Sequence, residues 1–99
     1  VGFQKLQDLD LYGSTVSHPE ALALLPNLRF VNLGQTGVSD LSFLPEFPVM
    51  TDLDLRENPL TDLTPLLECP WLTLLTLSQQ HQPLAQEQLS SASFHIQYQ

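Results

Sequence analysis

The chain has 99 residues, a net charge of −8, and 42% hydrophobic residues. This length suits one domain or part of one. The acidity argues against nucleic acid as the main ligand, because phosphate binding requires lysine and arginine and only three such residues are present. No apolar run approaches the ~18 residues typical of a membrane span, so we expect no membrane insertion. We also expect no cofactor, and nothing in the residues indicates a compartment.

The chain contains an internal repeat of 22 residues. Apolar residues recur at three positions of this repeat. The three columns are Leu6, Leu28, Met50 and Leu72, then Leu9, Val31, Leu53 and Leu75, then Leu11, Leu33, Leu55 and Leu77. Members of the second and third columns lie two residues apart, so in an extended backbone they point to the same side. Each repeat therefore predicts a short strand with one buried face.

The chain begins partway through a repeat. Phe3 matches the last core position of the repeat, where later coils have Leu25, Phe47 and Cys69. Residues 1–6 contain no polar cap, which the apolar end of a solenoid needs. We therefore expect either a segment of a longer protein or a chain whose N-terminal edge is covered by other residues. The lone Cys69 excludes an internal disulfide and is interpreted as a small buried hydrophobe rather than a reactive thiol.

The connections between the strands predict short helical segments. In the first coil, Ser17 followed by Glu20 fits a capping box, and the helix it begins would bury Leu22 and Leu25. The corresponding segments of the next two coils, 38–45 and 60–67, are short and bounded by proline, so they have room for about one turn of helix or 3₁₀ helix. We interpret Asp40 and Asp62, within those two segments, as local turn caps rather than catalytic acids.

A polar column marks the bend that follows each strand. Its members are Ser14, Thr36, Asn58 and Gln80. Asn58 is predicted to lie inside its bend with the side-chain amide bonded to backbone groups. A further apolar column of Val16, Val38 and Leu60 fails at Gln82.

The run from Met50 to Leu60 resembles the leucine-rich repeat motif, with Met50 where that family usually has leucine. Residues 61–66 are similar to the 22-residue subclass found in internalins and in the phosphatase regulator called SDS twenty-two. The resemblance extends from Leu6 to about Leu77. It implies that residues 1–99 form a single α/β domain, a right-handed leucine-rich repeat solenoid of about four to five repeats with a parallel concave sheet, short helical or 3₁₀ convex turns and a protein-binding role. Only Asn58 fills the family's asparagine position, so the side-chain ladder there should be weaker.

The last part of the chain departs from the repeat. Leu84, Ala85 and Leu89 are spaced for a short amphipathic helix. Residues 94–98 then alternate in polarity, which predicts a fifth strand if the final repeat is one residue short. The glutamine- and serine-rich stretch 78–93 leaves a frayed tail as the alternative. The five predicted strands lie near residues 8–11, 30–33, 52–55, 74–77 and 95–98.

Strand alternation predicts a binding surface on the concave side. The candidate partner-binding residues are Asp8, Asp10, Tyr12, Phe30, Asn32, Asp52, Asp54, Arg56, Leu74 and Thr76, joined by His95 and Gln97 if the fifth strand forms. Phe30 and Leu74, set among aspartates, have the character of apolar anchors in a charged frame. They suit a protein partner with a basic, partly apolar surface. The alternative is that they are tolerated surface hydrophobes.

Catalytic and metal-binding patterns are scarce. The sequence has no nucleophile elbow, no glycine-rich phosphate loop and no pair of histidines at metal-binding spacing. The pairs Asp8/Asp10 and Asp52/Asp54 lie two coils apart, about 10 Å at a strand spacing of ~4.8 Å, which is too far for one cation. We therefore expect a protein-interaction module. The alternative is a small acidic inhibitor or immunity-type protein that neutralises a basic toxin or enzyme, and an enzyme is disfavoured.

Overall fold

The computed structural model describes residues 5–47 and 49–99, which form successive coils around one parallel sheet. Its strands in chain order are β1 (Asp8–Asp10), β2 (Phe30–Asn32), β3 (Asp52–Asp54), β4 (Leu74–Leu77) and β5 (His95–Tyr98). Neighbours in sequence are neighbours in the sheet, and all four pairs are parallel. The crossovers contain 3₁₀ segments at Pro19–Leu24, Leu44–Glu46, Thr64–Glu68 and Gln79–His81 and one α-helix, α1 (Gln82–Gln88). This is the strand and turn order predicted from the repeat.

The strand register follows the repeat length. Leu53 pairs with Leu75, 22 residues further on, whereas Leu75 pairs with Ile96, 21 residues further on. The last step is therefore one residue shorter than the others, and the predicted fifth strand is confirmed. It lies beside β4 with Tyr98 opposite Leu77.

The core lies between the sheet and the convex turns. In the second, third and fourth coils the three apolar columns are almost fully buried, and Leu33, Leu55 and Leu77 have no exposed surface. Their equivalents in the first coil, Leu6 and Leu9 among them, are only partly buried. Phe3 and the N-terminal residues before Lys5 lie outside the described residues.

Asn58 has the role that the sequence predicts. Its amide nitrogen donates hydrogen bonds to the backbone oxygens of Leu33 at 2.8 Å and Leu55 at 3.1 Å. Its side-chain oxygen accepts hydrogen bonds from the backbone N–H groups of Thr36 and Gly37, both at 3.0 Å. One buried amide therefore closes two successive bends, where unpaired backbone groups would each cost about 1–3 kcal/mol.

The capping box predicted in the first coil is wrong. The segment is a 3₁₀ helix that begins after His18, and no side chain caps it. Glu20 instead places a carboxylate oxygen 3.3 Å from Nδ1 of His18. Because His18 occupies the capping position, Ser17 lies one residue too early to reach the first free N–H groups. Leu22, which the predicted helix would bury, is only partly buried against the core.

The turn caps predicted for Asp40 and Asp62 are confirmed. Asp40 accepts a hydrogen bond from the backbone N–H of Ser42 at 2.9 Å, and this bond lowers the pKa of Asp40 below its ordinary value. Asp62 accepts bonds from the hydroxyl of Thr64 at 2.7 Å and from its N–H at 3.0 Å, which lower the pKa of Asp62. Both carboxylates therefore act locally in the convex turns.

In the last crossover, the core continues although the apolar column of Val16, Val38 and Leu60 has Gln82 at this point. The buried residue of this turn is His81 and not Gln82, since the final repeat is one residue short. The predicted amphipathic helix is confirmed as α1, with Ala85 and Leu89 buried. Cys69 is also buried, and burial raises the pKa of its thiol to about 11, as suits a structural residue. Within the described ranges, no helix has the length and apolar character needed to cross a membrane.

Replacing Leu55 by alanine should unfold most of the chain. Leu55 has no exposed surface, and truncating a leucine in such a site typically costs about 2–5 kcal/mol, a large part of the stability of a small domain. The matched control is Leu24→Ala, because Leu24 is 82% exposed. Thermal unfolding followed by circular dichroism should show a large drop in midpoint for the first variant and almost none for the second. Equal midpoints would contradict the assignment of the core.

Candidate functional site

The concave face carries the side chains that alternate with the core residues, and they form three rows across the sheet. The first row is Asp8, Phe30, Asp52, Leu74 and His95. The second row is Asp10, Asn32, Asp54, Thr76 and Gln97. The third row, immediately beyond the strands, is Tyr12, Gly34, Arg56, Ser78 and Gln99. The structure therefore places all ten predicted partner-binding residues on this one face.

The second row stabilises the bends that follow the first three strands. The side-chain oxygens of Asp10, Asn32 and Asp54 each accept a hydrogen bond from the backbone N–H two residues further on, at 2.9–3.0 Å. This is the local bond by which aspartate and asparagine stabilise a bend. These three side chains therefore have a structural role, which the sequence analysis did not assign to them. A recurring Asx at one position of the repeat was the available signal.

Polar residues near the fourth strand are buried in the second and third rows. Thr76 is only 5% exposed, and its hydroxyl accepts a hydrogen bond from the side-chain amide of Gln97 at 2.9 Å. Ser78 in the next row is also buried, and its hydroxyl accepts a bond from the backbone N–H of Glu57 at 2.7 Å. Thr76 therefore lies where the sequence predicted but has little surface to offer a partner.

Tyr12 crosses the second coil to reach the third. A Cβ atom at Gly34 would lie 2.5 Å from Cδ2 of Tyr12, so the ring occupies the space that any larger residue would fill. The guanidinium carbon of Arg56 lies 5.4 Å from the centre of this ring, within range of a cation–π interaction. The Tyr12 hydroxyl donates a hydrogen bond to Glu57, which raises the pKa of Tyr12. A glycine next to a strand signals such a close approach, but its partner is visible only in the structure.

Arg56 is fully engaged within the face. Its Nε lies 3.0 and 3.1 Å from the two carboxylate oxygens of Asp54, and one terminal nitrogen donates to the side-chain oxygen of Gln99 at 2.9 Å. With the Tyr12 ring against it, the guanidinium has partners from three coils, the first, third and fifth. We call Tyr12, Gly34, Arg56 and Gln99 the strap, because together they cross the C-terminal ends of the strands.

The first row is different, because its charges have no partners. Within residues 5–47 and 49–99, neither the Asp8 nor the Asp52 carboxylate has a hydrogen-bond or ion-pair partner. They lie on the strands at either side of Phe30, which is 43% exposed. Leu74 continues the row as a half-buried side chain, and His95 is exposed at its end. This row therefore combines accessible apolar surface with unpaired negative charge.

No metal site is indicated among the described residues of this face. No group of three or more His, Cys, Asp or Glu within the described ranges is placed to hold a metal ion. A groove of about 560 Å³ lies elsewhere, between the turns that follow β1 and β2, and Glu20, Asp40 and Glu46 are among its lining residues. The concave face is an open sheet, a shape that suits a protein surface better than a small molecule.

Comparison with solved structures decides the fold. An internalin C2 (inlC2) from Listeria monocytogenes matches 99% of this chain with a TM-score of 0.68 and 26% identity. The chain has an internalin-like leucine-rich repeat fold. A second internalin (inlF) from the same organism matches 66% of the chain with a TM-score of 0.58 and 20% identity. The internalin-like chain spans 44% of the first structure and 19% of the second. No family model and no curated protein matches the sequence.

The contacts of Tyr12 within the strap predict a raised pKa, which a titration can measure. In a Tyr98→Phe background Tyr12 is the only tyrosine, so ultraviolet absorbance reports its ionisation alone. We expect its pKa to exceed the ordinary 10.0, because the Glu57 carboxylate favours the protonated phenol. Glu57→Gln should lower this pKa, and so should Gly34→Ala, since the added Cβ displaces the ring.

Glu46→Gln is the matched control for this titration, because it removes one carboxylate in a convex turn and should leave the pKa of Tyr12 unchanged. If Gly34→Ala also left the pKa unchanged, the position of the ring would not depend on the glycine.

Proposed function

We propose that the internalin-like chain binds a protein partner through its concave face, and that the partner surface is basic and partly apolar. Leucine-rich repeat solenoids present extended concave surfaces of this kind to other proteins. The observation that carries the proposal is the first row, in which Asp8 and Asp52 stand unpaired beside exposed Phe30. These side chains satisfy no structural need that the described contacts reveal.

Charge supports the basic character of the partner. Four aspartates lie on the face, and the guanidinium of Arg56 there is paired with Asp54. The chain as a whole carries a net charge of −8. Such a field attracts a basic protein and raises the rate of encounter, mainly at low ionic strength.

Aromatic surface supports the partly apolar character. Phe30 is 43% exposed and Tyr12 is 41% exposed. Aromatic residues tend to dominate the binding energy of protein interfaces. Tyr12 is already held by Arg56 and Glu57, so little conformational freedom would be lost when it meets a partner.

An inhibitor of a basic toxin or enzyme would use the same acidic surface. The net charge of −8 favours a basic target for either function. The two functions differ in their consequence, since an inhibitor abolishes the activity of its target whereas an interaction module leaves it intact.

A peptide display library selected against the chain tests the proposal. We expect the enriched peptides to combine lysine or arginine with apolar residues. With a selected peptide as probe, Phe30→Ala should raise the off-rate roughly thirtyfold, which corresponds to about 2 kcal/mol for a central aromatic residue. The on-rate should change little, because the charge of the face is unchanged.

The double variant Asp8→Asn with Asp52→Asn should lower the on-rate, by roughly tenfold at low salt and less as salt is added. Its matched control is Asp40→Asn with Asp62→Asn, which removes the same charge from the convex turns. The proposal is wrong if the selected peptides show no basic bias, or if the two double variants slow binding equally and Phe30→Ala has no effect.

A further inference from the structure

The centre of the first row has a defined shape. Phe30 pairs in register with Asp8 on one side and with Asp52 on the other. Neighbouring strands lie ~4.8 Å apart, so the two aspartates are separated by about 10 Å with the aromatic ring between them. Phe30 therefore presents exposed aromatic surface between two strands that each carry an aspartate in register with it.

The rest of the face keeps these two carboxylates free. Asp52 and Asp54 lie on the same strand, yet of the two carboxylates only that of Asp54 accepts hydrogen bonds. Its donors are the backbone N–H and the guanidinium of Arg56. Arg56, a member of the strap, is held by contacts with Asp54, Gln99 and Tyr12. Arg56, which follows the strand of Asp52, is therefore held by other partners and lies in the third row.

We propose that Phe30, Asp8 and Asp52 form a subsite for one arginine side chain of the partner. This inference rests on the proposed function and names the group that the first row recognises. A guanidinium is planar, always charged and weakly hydrated, so it stacks on an aromatic ring while its N–H groups reach carboxylates on both sides. Stacking on Phe30 adds a cation–π attraction to the two ion pairs.

Other occupants fit this subsite less well. An apolar side chain over Phe30 would remove both carboxylates from water without giving them a partner, which is costly. A lysine ammonium is a compact, strongly hydrated charge that does not stack as a plane. Next to the arginine, an apolar residue of the partner would meet Leu74, which lies on the strand beyond Asp52.

The convex groove offers a comparison within the same molecule. Glu20, Asp40 and Glu46 are three acidic residues that line one groove. Two of them already have contacts, since Asp40 accepts the Ser42 N–H and Glu20 lies beside His18. A cation that binds through charge alone would therefore bind at both the convex groove and the first row. A cation that also stacks on an exposed aromatic ring would bind preferentially at the first row.

The test uses N-acetyl-arginine methylamide as a single-residue probe, titrated at millimolar concentration into the ¹⁵N-labelled chain and followed by NMR. We expect saturating shifts of the backbone amides around Phe30 and Asp52. The citrulline analogue, which has nearly the same shape and no charge, should bind roughly tenfold more weakly, because it loses two exposed ion pairs and the cation–π contact. The lysine analogue should also bind more weakly than arginine.

The variants separate this inference from the proposed function. Phe30→Ala should weaken the arginine probe roughly two- to fivefold, and Asp8→Asn or Asp52→Asn should each weaken it, whereas Asp40→Asn should leave it unchanged. Equal shifts with arginine and citrulline, or shifts centred on the convex groove, would overturn the subsite. If display-selected peptides bind through Phe30 but the arginine probe causes no shift, the subsite is wrong and the proposed function stands.

Discussion

Strands β1, β2 and β3 of this sheet each end in a tight bend, and the buried polar backbone groups of these bends must find partners away from water. Asn58 satisfies four such groups in two successive coils with a single buried amide. The second row adds one carboxylate or amide oxygen at the end of β1, β2 and β3. Since each unpaired buried group would cost about 1–3 kcal/mol, the buried Asn58 amide contributes as much to the stability of a short solenoid as part of its core does, whereas the exposed or half-buried bonds of Asp10, Asn32 and Asp54 contribute less.

This constraint separates the concave face into structural and available residues. The Asp54 carboxylate is bonded to a bend and to Arg56, whereas the carboxylate of Asp52, two residues earlier on the same side of the strand, has no partner among the described residues. The strap adds to this separation, because its contacts hold the positive charge of Arg56 away from the first row. The negative charge that remains accessible therefore lies beside Phe30, which is where binding surface and charge coincide.

The fold was predictable from sequence because its signals are local and repeated. Apolar columns predict the buried strand positions, and the alternation of residues 94–98 predicts the shortened final repeat. The sequence-based predictions that were wrong or incomplete concern local backbone and side-chain geometry, which no short sequence pattern specifies. Ser17 is followed by Glu20 at capping-box spacing, yet the chain forms a 3₁₀ helix that begins after His18. On the concave face, alternation predicts which side chains lie there but not which of them are bound to backbone, since that depends on the bend that follows each strand.

The division of the concave face rests most on the difference between Asp52 and Asp54, and chemical denaturation of two matched variants measures this difference directly. Asp54→Ala should lower the free energy of unfolding by about 1–2 kcal/mol, because it leaves the N–H and the guanidinium of Arg56 without their acceptor. Asp52→Ala should change it by less than about 0.5 kcal/mol, as expected for a surface residue without partners. Equal losses in the two variants would contradict the division of the face into structural and available carboxylates.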